Sequence, residues 1–129
     1  MVRPVRRPVH CLVAVGLAFG ALAAQAQAPQ FPDGATTPTS ADIKAYLDGK
    51  VFDVAIADGT RWRLEYKSNG YFFVDTSTGF RNSGTWQAED GKLCGHLKGR
   101  DRGCNDVRLH QDLLHLKRDS GEIIRFTVK

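Results

Sequence analysis

From Lys50 onward apolar and polar positions alternate with period two, and turn dipeptides interrupt the alternation at intervals of about ten residues, the pattern of an antiparallel all-β domain. Phe52, Val54 and Ile56 fall on one face while Asp53 and Ala55 fall on the other; Trp62, Leu64 and Tyr66 are likewise set against Arg61, Arg63, Glu65 and Lys67. One face of such a sheet is buried and the other is wet. The turns are Asp58-Gly59, Asn69-Gly70, Asp90-Gly91 and Ser120-Gly121, dipeptides favoured in two-residue type I′ loops because both central positions need positive φ. Further strands are predicted over 71–75, 80–87, 92–98, 104–110, 113–117 and 122–128. Leu93, Leu97, Val107, Leu109, Leu114, Leu116, Ile124, Phe126 and Val128 supply their inner face. About eight short strands in sequential hairpins make a meander, which hides its apolar face and its edges by curling into a small barrel or folding over as a sandwich. Their large side chains are enough to fill a small barrel, so a solid interior is expected.

Before Lys50 the period is helical. Thr39 and Asp42 form a capping-box variant, Ile43, Tyr46 and Leu47 follow at helical spacing, and Gly49 offers a stop, which predicts one short helix over 40–48 that closes an end of the β domain. Residues 27–38, rich in Pro, Gly, Thr and Ala, read as a flexible leader, so the domain proper is 39–129.

Residues 1–26 have the three parts of a secretory signal peptide. Arg3, Arg6 and Arg7 supply the charge, the apolar stretch runs from Cys11 to Ala24, and two overlapping A-x-A sites follow at Ala24-Gln25-Ala26 and Ala26-Gln27-Ala28. Cleavage after Ala26 is preferred, because the later site leaves Pro29 at the new N-terminus. The apolar stretch is shorter than the roughly 20 residues a spanning helix needs, so no stable membrane insertion is expected after cleavage. A periplasmic or secreted protein is the expectation.

Processing changes the charge and the cysteine count. Three of the 18 basic residues and none of the 14 acidic ones lie in the signal, which leaves 15 against 14, a net charge of +1. That balance gives no footprint for nucleic acid, and the cluster Lys98, Arg100 and Arg102, with Asp101 inside it, reads as a solvated loop. Loss of Cys11 leaves Cys94 and Cys104, an even pair that reads as a disulfide in an oxidising compartment. Both stand equally far from Gly99, as opposed partners across a hairpin loop do.

Catalytic chemistry finds little support. His96, His110 and His115 read as solvent-facing strand residues, the last two opposite the leucines in the alternation, so no metal site and no cofactor is expected. Ser68, Ser77, Ser83 and Ser120 sit in or near turns, Glu89 and Asp90 make a turn, and Asp53 and Glu65 have arginine neighbours to pair with. The aromatic residues are more informative: Trp62, Tyr66, Tyr71, Phe72, Phe73, Phe80 and Trp86 crowd one third of the chain. Tyr71-Phe72-Phe73 puts bulky groups on both sheet faces, so some need cover from the helix through Tyr46 and Leu47, from a partner or from a ligand.

Gly84-Thr85-Trp86, Asp90-Gly91, Leu93-Cys94 and Cys104, with the preceding Asn69-Gly70 turn, resemble a loose group of short exported bacterial β-domain proteins of unknown function. The resemblance covers about residues 51–128, is architectural, and implies a small periplasmic β domain without catalytic residues. The expected role is a non-enzymatic binding or interaction module of inhibitor, immunity or envelope-accessory type. Its binding residues would be Tyr71, Phe72, Phe73, Phe80 and Trp62, and its partner an envelope or secreted protein. The alternatives are a calycin-like carrier of a small apolar ligand and a small hydrolase.

Overall fold

The computed structural model describes residues 28–129 and the single positions 2, 4, 5 and 20; the signal peptide expected over 1–26 otherwise lies outside the described residues. Among the described residues no helix is long and apolar enough to cross a membrane.

Alternation yields eight strands after one helix: α1 Ser40–Leu47, β1 Lys50–Ala55, β2 Arg61–Tyr66, β3 Tyr71–Thr76, β4 Arg81–Glu89, β5 Lys92–Leu97, β6 Gly103–His110, β7 Leu113–Lys117 and β8 Ile123–Val128. Each strand pairs antiparallel with the next, and β8 returns to β1 through Phe52 opposite Val128 and Asp53 opposite Thr127, so the meander closes as a barrel. Closure decides between barrel and sandwich. The inner face is the expected one from Phe52 to Phe126. Val128 departs from it: at the end of the last strand it is 54 % exposed.

In a meander, alternate turns share an end, and α1 occupies one of the two. Its capping box is formed, with the Thr39 hydroxyl accepting from Asp42 N and the Asp42 carboxylate accepting from Thr39 N, and Gly49 follows at φ 70°. Ile43 and Leu47 are fully buried, the Tyr46 ring stacks on Phe52 at 5.4 Å, and its hydroxyl donates to Phe126 O at 2.8 Å. Asp90 in the β4–β5 turn accepts from Ser40 N, which ties the helix start to the same end. Helix and barrel thus share one apolar core, plugged from this side.

The turns are legible for a reason other than type I′ geometry. At 56–60, 67–71, 76–80 and 118–122 the first residue exchanges backbone hydrogen bonds with the fourth and fifth, and the fourth is a positive-φ glycine. This is a type I turn followed by a glycine bulge, in which only one residue must take positive φ. Asp58 and Asn69 then accept from the amides of Thr60 and Tyr71 beyond the glycine, which is the physical use of Asp-Gly and Asn-Gly here. Positive φ at both central residues occurs instead at Gln111 and Asp112, between β6 and β7.

The second half of the stretch expected as a flexible leader is bonded to the barrel. Strand β5 pairs with β6 only as far as Asp106, which leaves the remainder of that β6 edge open. Thr36 fills it, donating to Leu109 O at 2.8 Å and accepting from Leu109 N at 2.9 Å, while Pro38 O accepts from Gly91 N. The Arg108 guanidinium lies over the Phe31 ring. Unpaired backbone on an exposed edge is costly or sticky, so a strap across it is the expected physical remedy.

Candidate ligand-binding cavity

The barrel end opposite α1 is open. A cavity of about 570 Å³ descends from the β3–β4, β5–β6 and β7–β8 loops toward the helix plug, which corrects the expectation of a solid interior. That volume lies within the usual range of small-molecule sites, about 300–1,000 Å³. Large side chains are present, as expected; what opens the space is one wall that lacks them. Trp86 pairs with Gly95, and Gly95 pairs with Gly103, so both glycines face inward side by side on β5 and β6. A Cβ on Gly103 would meet open space, whereas one on Gly95 would press on the Phe72 ring.

The floor is aromatic. Tyr66 stacks on Phe72 with ring centroids 5.6 Å apart and meets Trp86 edge-on at 5.4 Å, with Phe126 beyond. Trp86 Nε1 is satisfied by Lys67 O at 3.0 Å. Burial pushes the Tyr66 phenol well above its ordinary pKa, with no hydrogen bond contributing, so the hydroxyl keeps its proton.

The rim is polar and held in place. Arg118 stacks over Trp62 and pairs with Glu122, and Glu122 also accepts from Ala57 N, which fastens the β7–β8 loop to the β1–β2 loop. Asn105 donates to Lys117 O and to Asp119, both at 3.1 Å. Arg100 lies over the Phe80 ring, and among the described residues it forms no ion pair with a carboxylate. An apolar floor beneath a charged rim suits a molecule with an apolar body and polar groups near the mouth.

Three of the five expected binding residues, Trp62, Phe72 and Phe80, line this cavity. Tyr71 and Phe73 do not: they point outward from β3 and are 54 % and 42 % exposed. Tyr46 and Leu47 seal the barrel end and leave that outer pair uncovered. Sequence reasoning missed Gly95, Gly103, Arg100 and Asn105 as cavity residues. The basic cluster divides, Arg100 standing at the mouth while Arg102 bonds Gln87 and Glu89.

Cys94 and Cys104 are disulfide-bonded and directly opposed across β5 and β6. Glu89 lies near both sulfurs, but their bond leaves no thiolate for a metal. His96 is exposed on the outer face. His110 and His115 stand together with ring centroids 5.9 Å apart, also outside the barrel. His115 is not solvent-facing as expected: it is 4 % exposed, flanked in register by Arg108 and Arg125, with Nδ1 3.1 Å from Leu113 O. Its pKa is lowered first by burial and further by His110 and Arg125. A second recess, of about 590 Å³, lies between α1 and the β2–β3 turn, lined by Ser40, Lys44, Asn69 and Gln87 among others and lacking the aromatic floor.

The class defined by this fold and site is a small, disulfide-bonded, eight-stranded antiparallel barrel with an aromatic-floored cavity open at one end. Comparison with known proteins returns no matching family model, no similar curated protein and no similar solved structure.

Proposed function

We propose that this protein is an exported, non-enzymatic binding protein that holds a small, largely apolar molecule inside its barrel. The observation that carries the reading is the cavity of about 570 Å³ with Tyr66, Phe72 and Trp86 as its floor. Burying apolar ligand surface there is worth about 25 cal/mol per Å², and the rim residues are already fixed by contacts of their own, so little ordering opposes binding. Export rests on the signal-like N-terminus, and a small disulfide-bonded barrel is compatible with an oxidising compartment.

Native mass spectrometry of the protein purified from its own host tests this directly. A discrete adduct that leaves on mild activation is expected; a bare mass from the host, together with no uptake from a host lipid and small-molecule extract, would contradict the reading.

A second reading is favoured by the outward pair Tyr71 and Phe73, which lie two residues apart on the outer face of β3. Exposed aromatics at this spacing fit an envelope or secreted protein partner. Phe73→Ser should abolish capture of such a partner while leaving the cavity intact, and capture unaffected by it would count against this surface.

A further inference from the structure

Of the polar aromatic tips at the helix plug and the cavity floor, all but one have a partner. Tyr46 donates to Phe126 O and Trp86 to Lys67 O, but the Tyr66 hydroxyl has none among the described residues, although the residue is only 4 % exposed. The single buried side-chain polar atom among the described residues that is both unpartnered and cut off from open space is Asp48 Oδ1. The Tyr66 hydroxyl therefore opens onto space, and the space its side chain lines is the cavity. A phenol that opens onto the cavity without a protein partner has its donor free for a molecule bound there, and a ligand that left it unpaired would incur the cost of an unmade hydrogen bond.

We propose, on the strength of the cavity reading, that the ligand enters with a neutral hydrogen-bond acceptor leading, a carbonyl or ether oxygen on an apolar body, and that the Tyr66 hydroxyl donates to it. Neutrality follows from the surroundings: Phe52, Phe72, Trp86 and Phe126 ring the Tyr66 side chain, and no charged group among them would offset the desolvation of an ion. Charged or strongly polar groups of the ligand belong at the other end, beside Arg100 and Arg118.

The test uses a matched pair of probes, 2-acetylnaphthalene and its hydrocarbon counterpart 2-isopropenylnaphthalene, titrated calorimetrically into the wild-type protein and Tyr66→Phe. The substitution removes one unbonded hydroxyl and keeps the ring. The ketone should bind about three- to tenfold more weakly to the variant, and the hydrocarbon should change less than twofold. In wild type the carbonyl stretch of the bound ketone should also lie below its frequency in cyclohexane, a readout that needs no variant. Equal effects on both probes, or no carbonyl shift, would overturn the Tyr66 assignment while leaving the cavity reading standing. Failure of both probes to bind wild type would overturn both readings, and failure of the ketone alone the Tyr66 assignment only.

Discussion

Gly95 and Gly103 stand directly opposite each other on β5 and β6, both facing the barrel interior, and this side-chain-free pair opens the wall of the cavity. The disulfide lies one residue along from the pair, joining Cys94 and Cys104 in register. The same two strands therefore carry the facing glycine pair and the covalent tie beside it.

The disulfide should matter to stability in proportion. Its sequence separation is 10 residues, and closing a loop of that size is worth about 3 kcal/mol through the unfolded chain. Urea unfolding of the Cys94→Ala, Cys104→Ala double variant should show a loss of about 2–3 kcal/mol. Retention of full stability would mean that strand pairing alone holds the bare wall.

Gly84 is the contrasting glycine. A Cβ there would run into the backbone of His96 and Leu97 on β5. Gly84→Ala should accordingly cost about 1–3 kcal/mol by overpacking, measured by thermal or urea denaturation. An unchanged midpoint would show that β4 and β5 can separate at this point.

His115 makes stability depend on pH. Its folded-state pKa lies below the ordinary 6.5, chiefly through burial. As pH falls past 6.5 the unfolded chain takes up a proton that the folded chain refuses, so stability drops until the folded pKa is reached and then levels. Urea midpoints measured between pH 7.5 and pH 5 should fall more steeply for wild type than for His115→Gln; parallel slopes would contradict the assignment.

The strap at 31–38 should be separable from the barrel. Thr36→Pro removes the donor to Leu109 O and should cost about 1 kcal/mol, with faster hydrogen exchange at the Leu109 amide. Unchanged exchange there would show that Phe31 over Arg108 and the Pro38 contact hold the strap unaided.

The barrel was legible because closure obeys the same alternation that each strand displays locally. Phe52, Val54, Leu64 and Phe126 announce their face one residue at a time, and Thr39 with Asp42 announces the helix start. The cavity was not legible in the same way. A glycine in a period-two pattern reads as neutral, and only register places Gly95 against Phe72 and beside Gly103, whose inner side is open space. Tyr71, Phe72 and Phe73 are equally apolar in sequence, yet pleating sends Phe72 inward and its neighbours out. The strap escaped notice because a single bridge at Thr36 leaves no periodicity, and its need arises from a length mismatch between β5 and β6.

The central claim, that the barrel interior is a binding site, is tested most directly by filling it. Gly103→Leu places a side chain where a Cβ meets open space, so the fold should be kept and the room lost. Titration with the apolar fluorophore N-phenyl-1-naphthylamine should give saturable one-to-one binding to wild type, with quenching of Trp62 and Trp86, and binding weakened at least tenfold in an equally stable Gly103→Leu. Equal binding by the two proteins, or none by wild type, would contradict the account.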